Sequence, residues 1–129
     1  MWPPEVEEIA AVFRAAGVDA RLEELPSGEE EFPGAGVRAD AFRCDGRLLV
    51  ALVPADRDTD PRKLPCTVAT ETGVPPFPYS GAEVLFDSSL LTEPTVWLEA
   101  GSDRHVVGIS PAQLQRIVRA QTGDLVLES

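Results

Sequence analysis

His105 is the one side chain of this sequence that titrates near neutral pH, so it can act as an acid, a base or a buried hydrogen-bonding group. It follows closely on Ala100-Gly101-Ser102, where a small residue and a glycine let a backbone N–H reach a ligand unobstructed, as an oxyanion site requires. The same residues also suit a tight turn between two strands, Gly101 to Arg104, and both uses can hold at once. Asp87 stands at the end of an apolar run, in front of Ser88-Ser89-Leu90-Leu91, as a turn or capping acid or as a catalytic carboxylate. Thr72-Gly73-Val74-Pro75-Pro76-Phe77-Pro78-Tyr79 holds three prolines, which fix φ and lower the entropy lost when a loop is ordered. One histidine and the two cysteines Cys44 and Cys66 give no zinc-ligand spacing, so no metal is expected.

These residues need elements to hold them. Val6, Ile9, Ala10, Phe13 and Ala16 recur at helical spacing between Pro4 and Gly17, which predicts an amphipathic helix with acids in its first turn. Val18, Ala20 and Leu22 alternate with charged residues as a half-buried strand does. Residues 25–36 read as an exposed loop with an acidic run. Asp45-Gly46 between Val37–Cys44 and Arg47–Val53 predicts a two-residue hairpin, the second strand apolar throughout and covered on both faces. Asp60-Pro61-Arg62-Lys63-Leu64 has room for about one helical turn before Pro65 stops it. Val84–Asp87, Thr95–Glu99 and His105–Ile109 read as short strands. Ser110-Pro111-Ala112-Gln113 caps a helix with its apolar face at Leu114, Ile117 and Val118 and its end at Gly123. Val126 and Leu127 read as a last edge strand. The expected fold is α+β: one domain over residues 1–129, with a curved, barrel-like mixed sheet flanked by helices.

Composition narrows the function classes. The chain has 129 residues, 43% of them hydrophobic, enough for one core. No apolar run is long enough to span a bilayer and the N-terminus lacks a signal peptide's basic start, so a cytoplasmic protein with no membrane partner is expected. Two cysteines are too few for a disulfide scaffold. With 22 acids against 11 bases the net charge is −11, which disfavours DNA and any extensive phosphate contact. Ten of the eleven bases are arginine and asparagine is absent, a pattern that coding bias can produce.

Gly73-Val-Pro-Pro-Phe-Pro-Tyr79, Val84-Leu-Phe-Asp-Ser-Ser-Leu-Leu91, Thr95-Val-Trp-Leu-Glu-Ala-Gly-Ser102 and Ile109-Ser-Pro-Ala-Gln-Leu114 follow one another in an order that resembles the YbaK/prolyl-tRNA-synthetase-associated domain family. Members of that family hydrolyse mischarged aminoacyl-tRNA. The resemblance implies that Thr72, Gly73 and Pro76 belong to a pocket-lining loop, with Thr72 standing where a first glycine is usual. It also implies that Asp87 holds the neighbouring loop, that the backbone amide of Gly101 with Ser102 faces the substrate, and that His105 helps select small amino acids. Phe42-Arg43-Cys44-Asp45-Gly46 aligns with the family's hairpin and places Arg38 at its catalytic lysine. A guanidinium stays protonated and cannot be a general base, yet it can hold a carbonyl oxygen or a phosphate and stabilise developing charge.

The implied function is aminoacyl-tRNA deacylation without a cofactor, by an oxyanion site and a water or a tRNA hydroxyl, slowed by the loss of the lysine. Discrimination would be steric, through a pocket too small for the correct residue. The implied partners are the aminoacyl end of tRNA and an aminoacyl-tRNA synthetase. The alternative is an inactive paralogue that keeps only ligand or protein binding, favoured by Arg38, Thr72 and the shortened loop at 25–36. A third reading is an interaction protein that uses Trp2 and the proline-rich segments.

Overall fold

The computed structural model describes residues 2–26, 32–102 and 104–127. The expected acidic loop thus lies partly outside the described residues. Helix α1 spans Pro4–Ala16 and stops at Gly17, whose φ of 69° gives a left-handed cap; it buries Val6, Ala10 and Phe13. Among the described residues eight strands follow: β1 (Arg21–Glu24), β2 (Ala35–Cys44), β3 (Arg47–Pro54), β4 (Ala69–Thr72), β5 (Glu83–Asp87), β6 (Val96–Ser102), β7 (His105–Ile109) and β8 (Gln121–Gly123). Helix α2 spans Pro111–Val118, and 3₁₀ turns occupy Pro61–Lys63 and Ser88–Thr92. None of the described helices is long and apolar enough to cross a membrane.

The strands form one mixed sheet in the order β1-β7-β6-β2-β3-β5-β8, with β4 also on β2. Strand β2 is the pivot. Ala35 and Gly36 pair with β6 in parallel, Val37–Cys44 pair with β3, and Ala41–Cys44 also pair with β4. The expected α+β fold with a mixed sheet and two helices is what forms.

The hairpin forms as expected. Cys44 pairs with Arg47 across Asp45 (φ 53°) and Gly46 (φ 86°), both in the left-handed region that such a turn requires. The all-apolar β3 is covered on both faces: Val50 and Leu52 join the main core with Phe13, Phe86, Leu98 and Leu114, while Leu49, Ala51 and Val53 join a second cluster with Phe42, Leu64 and Leu125.

Three expectations need correction. Cys44 and Cys66 form a disulfide, their Cα atoms 5.4 Å apart. They meet because the Asp45 carboxylate accepts the Thr67 and Val68 backbone N–H groups at 2.9–3.1 Å, which seats residues 66–68 against the hairpin end. Docking then continues into β4, a strand whose mostly exposed residues gave no alternation to read. Helix α2, capped by Ser110 as expected, ends at Val118 with Arg119 left-handed (φ 57°), while Gly123 belongs to β8. Val126 makes a single bridge to Thr59 in place of an edge strand.

Candidate functional site

A cleft of about 690 Å³ opens where α1, β2, β6 and the proline-rich loop converge. Glu5, Glu8 and Ile9 of α1 form one wall and Val37, Arg38 and Ala39 of β2 another. Leu98, Glu99, Gly101 and Ser102 of β6 form the third, and Val74 to Phe77 with Tyr79 close the fourth.

The loop is fixed from behind. Tyr79 donates its backbone N–H to Pro76 at 2.8 Å, and Ala82 donates to Tyr79 at 3.1 Å. Phe77 packs between Phe13 of α1 and Tyr79, with ring centroids 5.3 and 5.5 Å apart. Three prolines and an aromatic stack thus hold the wall rigid before any ligand arrives.

Arg38 lies in the cleft wall but is held by its neighbours. Its Nε and Nη2 donate to the two oxygens of Asp40 at 3.1 Å each, a fork-on-fork pair between residues on one face of β2. Nη2 also donates to the Arg57 carbonyl at 2.7 Å and reaches Asp58 at 3.4 Å. Thr59 donates its hydroxyl to Asp40 at 2.7 Å and completes the cluster. Nη1 has only the Ala55 carbonyl, at 3.5 Å, so it keeps donor capacity. Partial burial opposes the guanidinium charge, but hydrogen bonding and charge from Asp40, then Asp58, outweigh it and raise its pKa above the ordinary arginine value. Arg38 is a fixed donor and never a base.

Gly101 sits at a break in the β6–β7 register between Glu99 and Ser102, with φ 92°. A Cβ there would lie 2.7 Å from the carbonyl carbon and oxygen of Glu5, so the glycine lets α1 close onto β6. Next to it, Ser102 Oγ accepts the backbone N–H groups of Arg104 and His105, both at 3.1 Å. Its own proton therefore points to His105 Nδ1, 2.6 Å away, which assigns the imidazole proton to Nε2. The His105 ring is buried behind Ser102 and meets Trp2 edge-on at 5.3 Å.

The structure brings Arg38, Pro76, Gly101 and Ser102 of the expected residues into the cleft wall. Gly73 is exposed and adjoins the wall through Val74, and Thr72 is exposed in β4 opposite Ala41. His105 touches the cleft only through Ser102. Asp87 stands elsewhere: Oδ1 accepts the Leu125 N–H at 2.9 Å and Oδ2 takes the Ser89 N–H and hydroxyl, fastening the C-terminal segment to β5.

Sequence reading missed Tyr79, Glu99, Glu5 and Glu8 as cleft residues. Tyr79 is only 7% exposed, yet its hydroxyl has no hydrogen-bond partner among the described residues. Burial, and secondly the charge of Glu99, push its pKa up to about 12, so the phenol stays protonated and available as a donor. The three glutamates are exposed at the rim and none is in an ion pair among the described residues.

Residues 65–117 match the model of the aminoacyl-tRNA editing domain family. Among solved structures, the chain is similar to a protein described as a candidate trans-editing enzyme for prolyl-tRNA synthetase, with 18% identity and a TM-score of 0.86 over 99% of this chain and 100% of that one. It is similar to the hypothetical protein APE2540 (16% identity, TM-score 0.79, 95% and 99% of the chains). It also resembles a scaffold used for computational epitope backbone grafting (19% identity, TM-score 0.82, 99% and 100% of the chains). At such identities the likeness shows the fold. No curated protein matches the sequence. The aminoacyl-tRNA editing domain model thus matches residues 65–117, under half of the chain, while the whole chain has the fold of these solved structures.

Proposed function

We propose that the cleft hydrolyses the ester between an amino acid and the terminal ribose of a mischarged tRNA. The observation that carries this reading is the convergence of a rigid proline-rich wall, a fixed cationic donor and a protonated phenol on one cleft of about 690 Å³, a size that suits a small ligand. Water adds to the ester carbonyl and gives up a proton, the tetrahedral oxyanion collapses, the bond to the ribose oxygen breaks and that oxygen takes up a proton to become the free hydroxyl. The products are a free amino acid and an uncharged tRNA. Arg38 Nη1 and the Tyr79 hydroxyl are donors for the oxyanion, where preorganised donors act most strongly. The backbone at Gly101 and the Ser102–His105 pair set the shape of the third wall. An aminoacyl ester is already activated, so these donors and a positioned water need no metal or cofactor.

Apolar Val37, Ala39, Leu52, Phe77 and Leu98 leave room for a small side chain and reject a large one by steric exclusion. The net charge of −11 limits phosphate contact, so the tRNA would engage mainly through its aminoacyl end, with a synthetase as the protein partner in the cytoplasm. A second reading rests on the Arg38–Asp40 clamp, which neutralises the wall's one cation: a binding module that holds an aminoacyl end without cleaving it. Deacylation of tRNA charged with alanine, cysteine or proline separates the two. Release of the smaller amino acids above the spontaneous rate supports the hydrolase, and binding without release supports the module.

A further inference from the structure

The cleft is electrostatically one-sided. Glu5 and Glu8 project from α1 and Glu99 from β6, and none of the three has a cationic partner among the described residues. The one basic side chain in the walls, Arg38, already faces Asp40 and Asp58. Tyr79 lines the same cleft within reach of the Glu99 charge; it is more than nine-tenths buried, and its hydroxyl has no hydrogen-bond partner among the described residues. A phenol oxygen accepts an N–H well, and its ring together with Phe77 offers an aromatic surface to a cation. Apart from Gly101 and Ser102, the rest of the lining is aliphatic, proline or aromatic. Such a site attracts a positive group on an apolar body and repels phosphate and carboxylate.

We propose that this cleft selects a ligand with a protonated primary amine beside a small apolar group. Resting on the hydrolase reading above, that ligand is an aminoacyl ester with a free α-amino group, and esters whose amine is acylated are rejected. The ester matters as much as the amine, because a free amino acid brings a carboxylate into the same acidic field. Hydrolysis would therefore convert a ligand the cleft attracts into a product it expels.

Binding of three probes, followed by backbone amide NMR shifts at residues 98–102 and 74–79, tests the proposal independently of catalysis. L-alaninamide keeps the amine and has no carboxylate, N-acetyl-L-alaninamide lacks the amine, and L-alanine carries both charges. L-alaninamide is expected to bind about tenfold more tightly than either of the others at low salt, and less so as salt is raised. Glu99→Gln is expected to weaken it about threefold, and Glu5→Gln with Glu8→Gln about as much, while N-acetyl-L-alaninamide is unaffected. Equal binding of the two amides, or binding of neither, overturns the proposal. Deacylation of alanine-charged and N-acetylalanine-charged tRNA is measured alongside. Amide selectivity without any deacylation overturns only the hydrolase reading, and equal deacylation of both substrates overturns only the amine selection.

Discussion

At the scale of single residues, Tyr79 and Arg38 decide what chemistry the cleft can do. Tyr79 is the chain's one tyrosine, so its titration is directly observable by absorbance. Its pKa of about 12 in the folded state, against about 10 for the free side chain, predicts a native midpoint well above 10 that drops on unfolding. Because the folded value is raised, the linked stability is fully present below about pH 10 and is lost as pH rises toward the folded pKa. A native midpoint near 10 would mean that the ring is not buried beside Glu99.

For Arg38, the resemblance to a family with a lysine at this position suggested impaired activity, and the structure pairs the guanidinium with Asp40. Arg38→Lys exchanges a two-point fork for a single donor and should lower stability by about 1 kcal/mol, a loss absent when Asp40 is already alanine. It also gives the cation freedom to turn into the cleft, so deacylation should rise severalfold. A fall in rate would make the arginine fork itself the working group. The Arg38–Asp40 pair was legible in principle, since positions i and i+2 of a strand share a face. The meeting of Tyr79 with Glu99 was not legible. It depends on a loop conformation with Tyr79 at φ 66° and on the bulge in β6, neither of which leaves a periodic signal.

At the scale of elements, local signals read well and long-range ones did not. Asp45-Gly46 specifies its turn with two residues, and α1 announces itself by spacing and by Gly17. Gly101 was singled out as a place where backbone could face a ligand; the structure gives it a packing reason, the approach of the Glu5 backbone. Gly101→Ala should therefore cost about 2–4 kcal/mol, by clash and by a left-handed φ, and should lift α1 from the cleft wall. Thermal unfolding checks it, and an unchanged melting temperature would contradict the packing of α1 on β6.

Strand β4 and the disulfide belong together. Neither cysteine reveals a partner 22 residues away, and only the docking of residues 67–68 on Asp45 brings them into range. In the chain-entropy account, opening a loop of that size loosens the fold by about 3 kcal/mol. A reductant, or Cys66→Ser, should lower the denaturation midpoint by a corresponding amount and increase hydrogen exchange first in β4 and the proline-rich loop. Identical midpoints with and without reductant would show that the two sulfurs are not joined in solution.

At the scale of the whole molecule, one sheet pivoting on β2 supplies the cleft with walls from both ends of the chain: α1 at the start, β6 near the end, and the proline-rich loop between. We propose this cleft as the place where an aminoacyl ester is cleaved. Alanine release from alanine-charged prolyl tRNA, measured for the natural chain and for Ala39→Phe, tests it most directly. Ala39 lines the cleft, and phenylalanine at that position fills the space a substrate needs. Release above the spontaneous rate is expected from the natural chain, with a loss of at least about tenfold, or about 1.4 kcal/mol in the barrier, in a variant that remains folded. Release by Ala39→Phe at the natural rate, or none by the natural chain, would contradict it.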